Sequence, residues 1–241
     1  LPETGFNVAR ALVGSEGTCV TILSAKLKLI DWPKYQSLLI LGYPDVFSAG
    51  DHVPQLRKFD PIALEGLDDK LVEYSVKKGL HPQAWEEMPP GRGWLIAEFG
   101  GGTKEEADAK LLSAMAILKA DRHPPHMLWH DDKEKEERIW KIRESGLGAT
   151  SRVPGGKGHD LDTWPGWEDS AVAPEKVGDY LRDLRELYKR YDYETSLYGH
   201  FGQGCIHVRT PFDLFTKDGI AKYRRFMDDA TDLNLKYGGS F

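Results

Sequence analysis

The stretch Tyr198-Gly199-His200-Phe201-Gly202-Gln203-Gly204-Cys205-Ile206-His207-Val208-Arg209 sets strand formers on either side of a cluster of glycines, where a chain would reverse. Taking Phe201 to Gly204 as a four-residue hairpin loop puts His200 opposite Cys205. His207, two residues further on, then shares a face with both, because side chains alternate along a strand. Diagonal neighbours on one hairpin face are roughly 7–8 Å apart at the backbone, a span over which two imidazoles can lean together. Two ring nitrogens at about 2.0–2.1 Å each would hold a divalent cation such as zinc. The glycines suit a sharp turn and a close approach of backbone to a ligand. The other reading is an ordinary tight hairpin with one histidine packed and one exposed.

Working outward, Pro174 opens a helix with Val177, Tyr180, Leu181, Leu184, Leu187 and Tyr188 on one face. After the hairpin, Thr216 caps a last helix with Ile220, Tyr223, Met227, Ala230 and Leu233 inward. Towards the N-terminus, strands and helices alternate. Ser37–Leu41 reads as a buried strand, and Asp45 caps a helix that Pro54 kinks or ends. Ile62–Leu67 is a strand, Asp68–Lys78 a helix and Trp94–Phe99 a further strand. Thr103 and Glu106 have capping-box spacing ahead of Ala107, Leu111, Ala114, Met115 and Leu118 at helical period. Met127–Trp129 is strand-like and Asp132–Glu144 a charged helix. These units predict an α+β sandwich, a largely antiparallel sheet with helices packed on one face. Gly146–Trp167 has no period and is expected as a long loop on the substrate side. Val13–Thr18 is a glycine-punctuated turn feeding an extended segment at Cys19–Leu29.

The chain has 241 residues, enough for one large domain or two small ones. Its 40% hydrophobic and 29% charged residues, with a mean hydropathy of -0.49, read as a soluble globular protein. A net charge of -6 argues against a nucleic-acid surface. There is no apolar run long enough for a bilayer and no signal-peptide pattern. Cys19 and Cys205 are too few for a disulfide framework and fit a reducing compartment. Without a C-x-x-C the chain alone cannot hold an iron–sulfur cluster.

Two segments carry a family resemblance. Ala11-Leu12-Val13-Gly14-Ser15-Glu16-Gly17-Thr18, running into Ile22 and Ala25-Lys26-Leu27, resembles the end of the FAD-binding domain in the FAD-linked oxidases. These are the D-lactate, glycolate-oxidase and D-2-hydroxyglutarate dehydrogenases of the vanillyl-alcohol-oxidase type. Gly199-His200-x-Gly202-x-Gly204-x-x-His207 resembles the glycine–histidine motif of that family's C-terminal, substrate-side domain. Phe6–Arg10, Thr163–Asp169 and His200–Cys205 are similar to the large bacterial fusions of a flavin dehydrogenase with a C-terminal iron–sulfur region. The family more often has Asp where Gln203 stands and Asn where Cys205 stands.

The resemblance implies a ferredoxin-like form of the sandwich. It makes residues 1–30 the tail end of the FAD-binding domain and residues 31–241 the substrate, or cap, domain. Lys236–Ser240 resembles the approach to a Gly-Glu-His-Gly motif that supplies an acidic metal ligand. The chain is then a piece of an FAD-dependent dehydrogenase, separated from its N-terminal FAD domain and its C-terminal iron–sulfur region. It would be inactive alone and would hold no stoichiometric flavin. The parent would oxidise a D-2-hydroxyacid, D-2-hydroxyglutarate or D-lactate, by hydride transfer to flavin. His200 and His207 would be catalytic and would ligate the divalent metal, an incomplete site here. Arg143, with Arg209 as a second candidate, would bind the substrate carboxylate, and Lys157 and His159 are further basic residues of the loop. Gly14, Ser15, Glu16, Gly17 and Thr18 would line the flavin. The implied location is the cytoplasm or the periphery of the inner membrane. Two alternatives stand beside this reading. One is a non-catalytic ferredoxin-like interaction or dimerisation module, forming a homodimer through an exposed sheet edge. The other is metal-dependent hydrolysis at the histidine hairpin.

Overall fold

The computed structural model describes residues 5, 7–15, 17–154, 160–165 and 167–241. The chain divides into Leu1–Trp32 and Pro33–Phe241. In the first unit, the short helix α1 (Val8–Leu12) is capped by Asn7, whose side chain accepts from the Arg10 amide at 3.0 Å. The expected extended segment at Cys19–Leu29 forms no ladder among the described residues. Ile22, Leu23, Leu27, Leu29, Ile30 and Trp32 are exposed along it. Strand-like alternation without a partner strand among the described residues leaves these apolar side chains in solvent.

The second unit opens with β1 (Tyr35–Tyr43), followed by α2 (Val46–Asp51), α3 (Val53–Arg57) and β2 (Ala63–Asp68). Asp45 caps α2, accepting from the Ser48 amide at 2.7 Å, and Pro54 at the start of α3 marks the break between the two helices. Next come α4 (Asp69–Lys77), α5 (Pro82–Glu86), β3 (Gly93–Gly101), α6 (Lys104–Lys119) and β4 (His126–His130). The Thr103 hydroxyl accepts from the Glu106 amide at 3.2 Å, and Glu106 reaches back to the Gly102 amide at 2.7 Å, a shifted form of the expected capping box. Then follow α7 (Lys133–Glu144), α8 (Gly146–Thr150), β5 (Arg152–Pro154), β6 (Asp160–Asp162) and β7 (Ser170–Ala171). The chain ends through α9 (Val177–Arg190), β8 (Tyr198–Gly199), β9 (Cys205–Ile206) and α10 (Lys217–Lys236).

The main sheet runs β4-β1-β3-β2-β8, and every pairing in it is antiparallel. Its four long strands have the order that β1–helix–β2 and β3–helix–β4 crossovers produce when they interleave, which is the ferredoxin-like arrangement. Side chains alternate between the two faces. Leu39, Leu41, Leu64, Leu95, Ala97 and Phe99 pack with residues of α2, α6 and α9. Leu38, Ile40, Leu67 and Ile96 pack instead with Leu71 and Tyr74 of α4 and Ile139 of α7. The architecture is the antiparallel α+β sandwich expected, with cover that goes beyond the one face foreseen. The crossover helices take one face, while the insertion between β2 and β3 and the chain after β4 return over the other.

The stretch Gly146–Trp167, expected as a loop without structure, contains α8 and a two-stranded ribbon in which Arg152 pairs with Asp162. Its tryptophans anchor it. Trp167 is buried in the core, and Trp164 exchanges backbone hydrogen bonds with Thr210. Lys157 and His159 lie outside the described residues.

One buried brace ties the two halves of this unit. Asp68, fully buried at the end of β2, accepts from the Leu71 amide that begins α4, the Leu197 amide just before β8, and Arg185 Nη2 of α9 at 2.8 Å. Arg185 also donates to the Thr195 carbonyl at 2.8 Å. Burial pushes the Asp68 carboxyl up to about 6 against the pull of Arg185 and the two amides.

Candidate active site

The histidine segment reverses as a ribbon. The Cys205 amide donates to the His200 carbonyl at 3.1 Å, and the His207 amide to the Tyr198 carbonyl at 2.6 Å. His200 therefore lies opposite Cys205 and Tyr198 opposite His207. A tight turn at Phe201–Gln203 joins them, closed by Gly204 at φ 75. Several positions here admit only glycine. Gly199 has φ +150, and a Cβ there would meet the Cys205 carbonyl oxygen at 2.4 Å. On the neighbouring strand, the Phe201 ring lies where a Cβ of Gly66 would be.

The ribbon is flanked on both sides by strands, and register alone supplies each imidazole with a carboxylate. On one side Gly66 pairs with Gly199, so Glu65 stands across from His200. On the other, Ser170 pairs with Ile206, so Asp169 stands across from His207. The His200 Nδ1 lies 2.8 Å from Glu65 Oε1, and the His207 Nδ1 lies 2.5 Å from Asp169 Oδ1. An ionised carboxylate only accepts, so each Nδ1 carries the proton and each Nε2 presents a lone pair. The two rings stand 4.9 Å apart between centroids, at 83° to each other. Asp169 adopts this position at φ 61, a left-handed conformation unusual outside glycine.

Arg143 reaches the same face from the last turn of α7. Its Nε donates to Glu65 Oε2 at 2.7 Å, and its guanidinium lies 5.4 Å from the centre of the Tyr198 ring. Tyr198 in turn lies 5.5 Å from His207. The arginine is thus a mostly buried member of the cluster, paired with neither Glu137 nor Glu144 among the described contacts. Arg209 is held more loosely, with Nη2 3.7 Å from Glu168 Oε2, and its buried Nε has no acceptor among the described residues. Burial raises the Glu168 carboxyl above its ordinary value, with Arg209 opposing the shift.

Cys205 lies beside this pair. Donor atoms of Asp169, Cys205 and His207 fall within 4.8 Å of one another. The trio is better read as a hydrogen-bonded Asp169–His207 dyad next to a neutral thiol. Burial first, and then the charges of Asp169 and Glu65, push the Cys205 thiol up to about 11. The group better suited to a cation is the pair of Nε2 atoms, because a carboxylate on the far nitrogen of each ring is the usual support of a metal-ligating histidine. Turn residues Gly14 and Gly17 of the first unit stand at φ 81 and 76 with open space around them, and Thr18 donates to the Ser15 carbonyl. Glu16 lies outside the described residues.

A family model described as FAD linked oxidases, C-terminal domain, matches residues 32–241. The chain belongs to that family. This FAD-linked oxidase domain is 28% identical over 247 residues to a D-2-hydroxyglutarate dehydrogenase of Haemophilus influenzae, a match covering 98% of this chain and 24% of the relative. It is 26% identical over 241 residues to a D-lactate dehydrogenase of Archaeoglobus fulgidus, covering 98% of this chain and 48% of that one. The chain thus spans about a quarter to a half of the length of these relatives. Among solved structures, p-cresol methylhydroxylase with substrate bound shares the fold at a TM-score of 0.55 and 13% identity, over 88% of this chain and 45% of that chain. Alkyldihydroxyacetonephosphate synthase does so at a TM-score of 0.52 and 18% identity, over 99% and 46%. No described helix is long and apolar enough to cross a membrane.

Sequence reasoning missed Glu65 and Asp169 as site residues. Glu65 did leave a signal, as the lone acid inside the apolar run Ile62–Leu67. An unpaired carboxylate is rarely buried in a strand, so such a residue announces a partner.

The electrostatics of His207 give a testable pH dependence. Burial, followed by the positive charge of Arg143, holds its imidazolium below the ordinary 6.5, with Asp169 opposing. In the window just below pH 6.5 the unfolded chain therefore binds more protons than the native state. The stability this residue contributes is present above that window and is lost as pH falls through it. As pH falls below 6.5, denaturation midpoints should decline more shallowly in His207→Asn than in the wild type. Parallel declines would contradict the charge balance described here.

Proposed function

We propose that this domain is the substrate-side cap of a flavin-dependent dehydrogenase acting on a D-2-hydroxyacid, with D-2-hydroxyglutarate and D-lactate the leading substrates. In this reading residues 1–30 are the end of an FAD-binding domain and residues 31–241 the cap. The observation that carries it is the pair of imidazoles 4.9 Å apart, each held through Nδ1 by a carboxylate, beside a guanidinium.

Each group then has a task. Arg143, fixed at Nε, offers its remaining N–H groups to the substrate carboxylate, for which a planar guanidinium fork is well shaped. Arg209 provides a second cation whose charge is felt at the Tyr198 hydroxyl, and it suits the distal carboxylate of a dicarboxylic acid. The Nε2 of His207 faces the substrate hydroxyl and takes its proton, and Asp169 steadies the imidazolium that results. Bound FAD would supply the acceptor for the hydride that leaves the carbon bearing the hydroxyl. Where His200 and His207 instead hold a divalent cation through their Nε2 atoms, the ion would supply Lewis-acid lowering of the hydroxyl pKa, His207 would be a ligand rather than the base, and the proton would leave to water. The bare Nε2 atoms fit such an ion, and the Gly14–Thr18 turn would border the flavin.

The test is anaerobic mixing of the flavoprotein that contains this domain with D-2-hydroxyglutarate, D-lactate and their L-enantiomers. Bleaching of the flavin absorbance by a D-acid alone is the expected result. An oxidised spectrum in the presence of every D-2-hydroxyacid tried would end the reading.

A further inference from the structure

We propose that Glu65 is a positioning residue that sets both polar arms of the site at once, fixing the tautomer of His200 with one oxygen and the orientation of Arg143 with the other. The proposal deepens the hydroxyacid reading above and rests on it for the role of Arg143, though not for that of the tautomer.

Burying an ionised carboxylate is costly unless both oxygens are satisfied. Glu65 is 6% exposed, and its two oxygens go to two different partners, Oε1 to His200 Nδ1 at 2.8 Å and Oε2 to Arg143 Nε at 2.7 Å. Those partners come from the ribbon turn and from α7, so neither is local in sequence. Position is set by the β2–β8 register, which stands Glu65 across from His200, and by Gly66, which lets the ribbon close onto β2 on the opposite face. Holding Arg143 by Nε leaves its two terminal nitrogens with no acceptor among the described residues, while Tyr198 flanks the guanidinium. Holding His200 by Nδ1 leaves its Nε2 bare on a side chain that is half exposed. A carboxylate spent only on stability would need neither arrangement.

Glu65→Gln separates positioning from bulk. Arg143 offers only donors, so the amide oxygen must face it and the amide NH2 must face His200. His200 then accepts at Nδ1, and its proton moves to Nε2, which can no longer ligate or take a proton. Long-range ¹H–¹⁵N spectra of the ¹⁵N-labelled full chain read this directly, with His200→Gln used to assign the signal. The wild type is expected in the Nδ1–H form and Glu65→Gln in the Nε2–H form. An Nε2–H wild type, or an unchanged tautomer in the variant, overturns the proposal. Should the glutamine variant fail to fold, the wild-type spectrum alone still decides. In the flavoprotein, Glu65→Gln should also raise KM for the hydroxyacid by about tenfold, the equivalent of one weakened charge-assisted contact. Tautomer inversion in a protein that oxidises no hydroxyacid would uphold the positioning role and defeat the functional reading.

Discussion

Alanine at His200 or at His207 is expected to cut turnover of the D-2-hydroxyacid by roughly a hundredfold or more, with flavin content unchanged. Each ring is held by its own carboxylate, Glu65 or Asp169, and the two rings meet edge to face with centroids 4.9 Å apart. Removing either leaves a single imidazole, which can neither share a cation nor keep the geometry of the pair. Residues that act as a unit lose activity non-additively, so the double variant should be little worse than either single one. Both losses should appear in steady-state kcat, and flavin content should be read from the absorbance of the purified protein. Wild-type turnover in both single variants would remove the histidines from the mechanism. Loss of flavin along with turnover would move them to a cofactor-holding role.

Replacing Asp68 by alanine should cost about 3–5 kcal/mol of stability, the usual consequence of deleting one member of a buried ion pair. Three donors lose their acceptor together: the amides of Leu71 and Leu197 and the guanidinium of Arg185. For a unit of this size such a loss lowers the melting temperature by on the order of 10 °C. Asp68→Asn, which keeps an acceptor for one or both amides, should lose less. A shift below about 1 kcal/mol in the denaturant midpoint of the alanine variant would mean that water replaces the carboxylate, and that the brace is not what holds Leu197 at the entrance to β8.

The parts of this fold that were legible in the sequence are those decided by local pattern. Asp45, Thr103 and Thr216 each begin a helix and accept from an amide three residues on, as their side chains suggested. The glycines at 199, 202 and 204 fixed the reversal, and with it the pairing of His200 with Cys205. What could not be read was which distant chain lies beside the ribbon. Glu65 is 135 residues from His200, and Asp169 is 38 from His207. Their pairing follows from strand order and register, which no local period encodes. The helical cover of the second sheet face escaped for a related reason. The α4 and α7 segments were read as helices, but a stripe of apolar residues does not say which side of a sheet it will meet.

The ribbon has one more consequence, and it concerns the border of the sheet. β8 closes the five-stranded order beside β2, and beyond its two paired residues the Gly202 turn packs on Leu64. Without it, β2 would offer a row of free backbone donors and acceptors to any passing chain. The segment that bears the histidines therefore also guards against self-association. Lesions that loosen it should yield clumped protein as well as an idle catalyst, and evolution cannot relax one duty without risking the other.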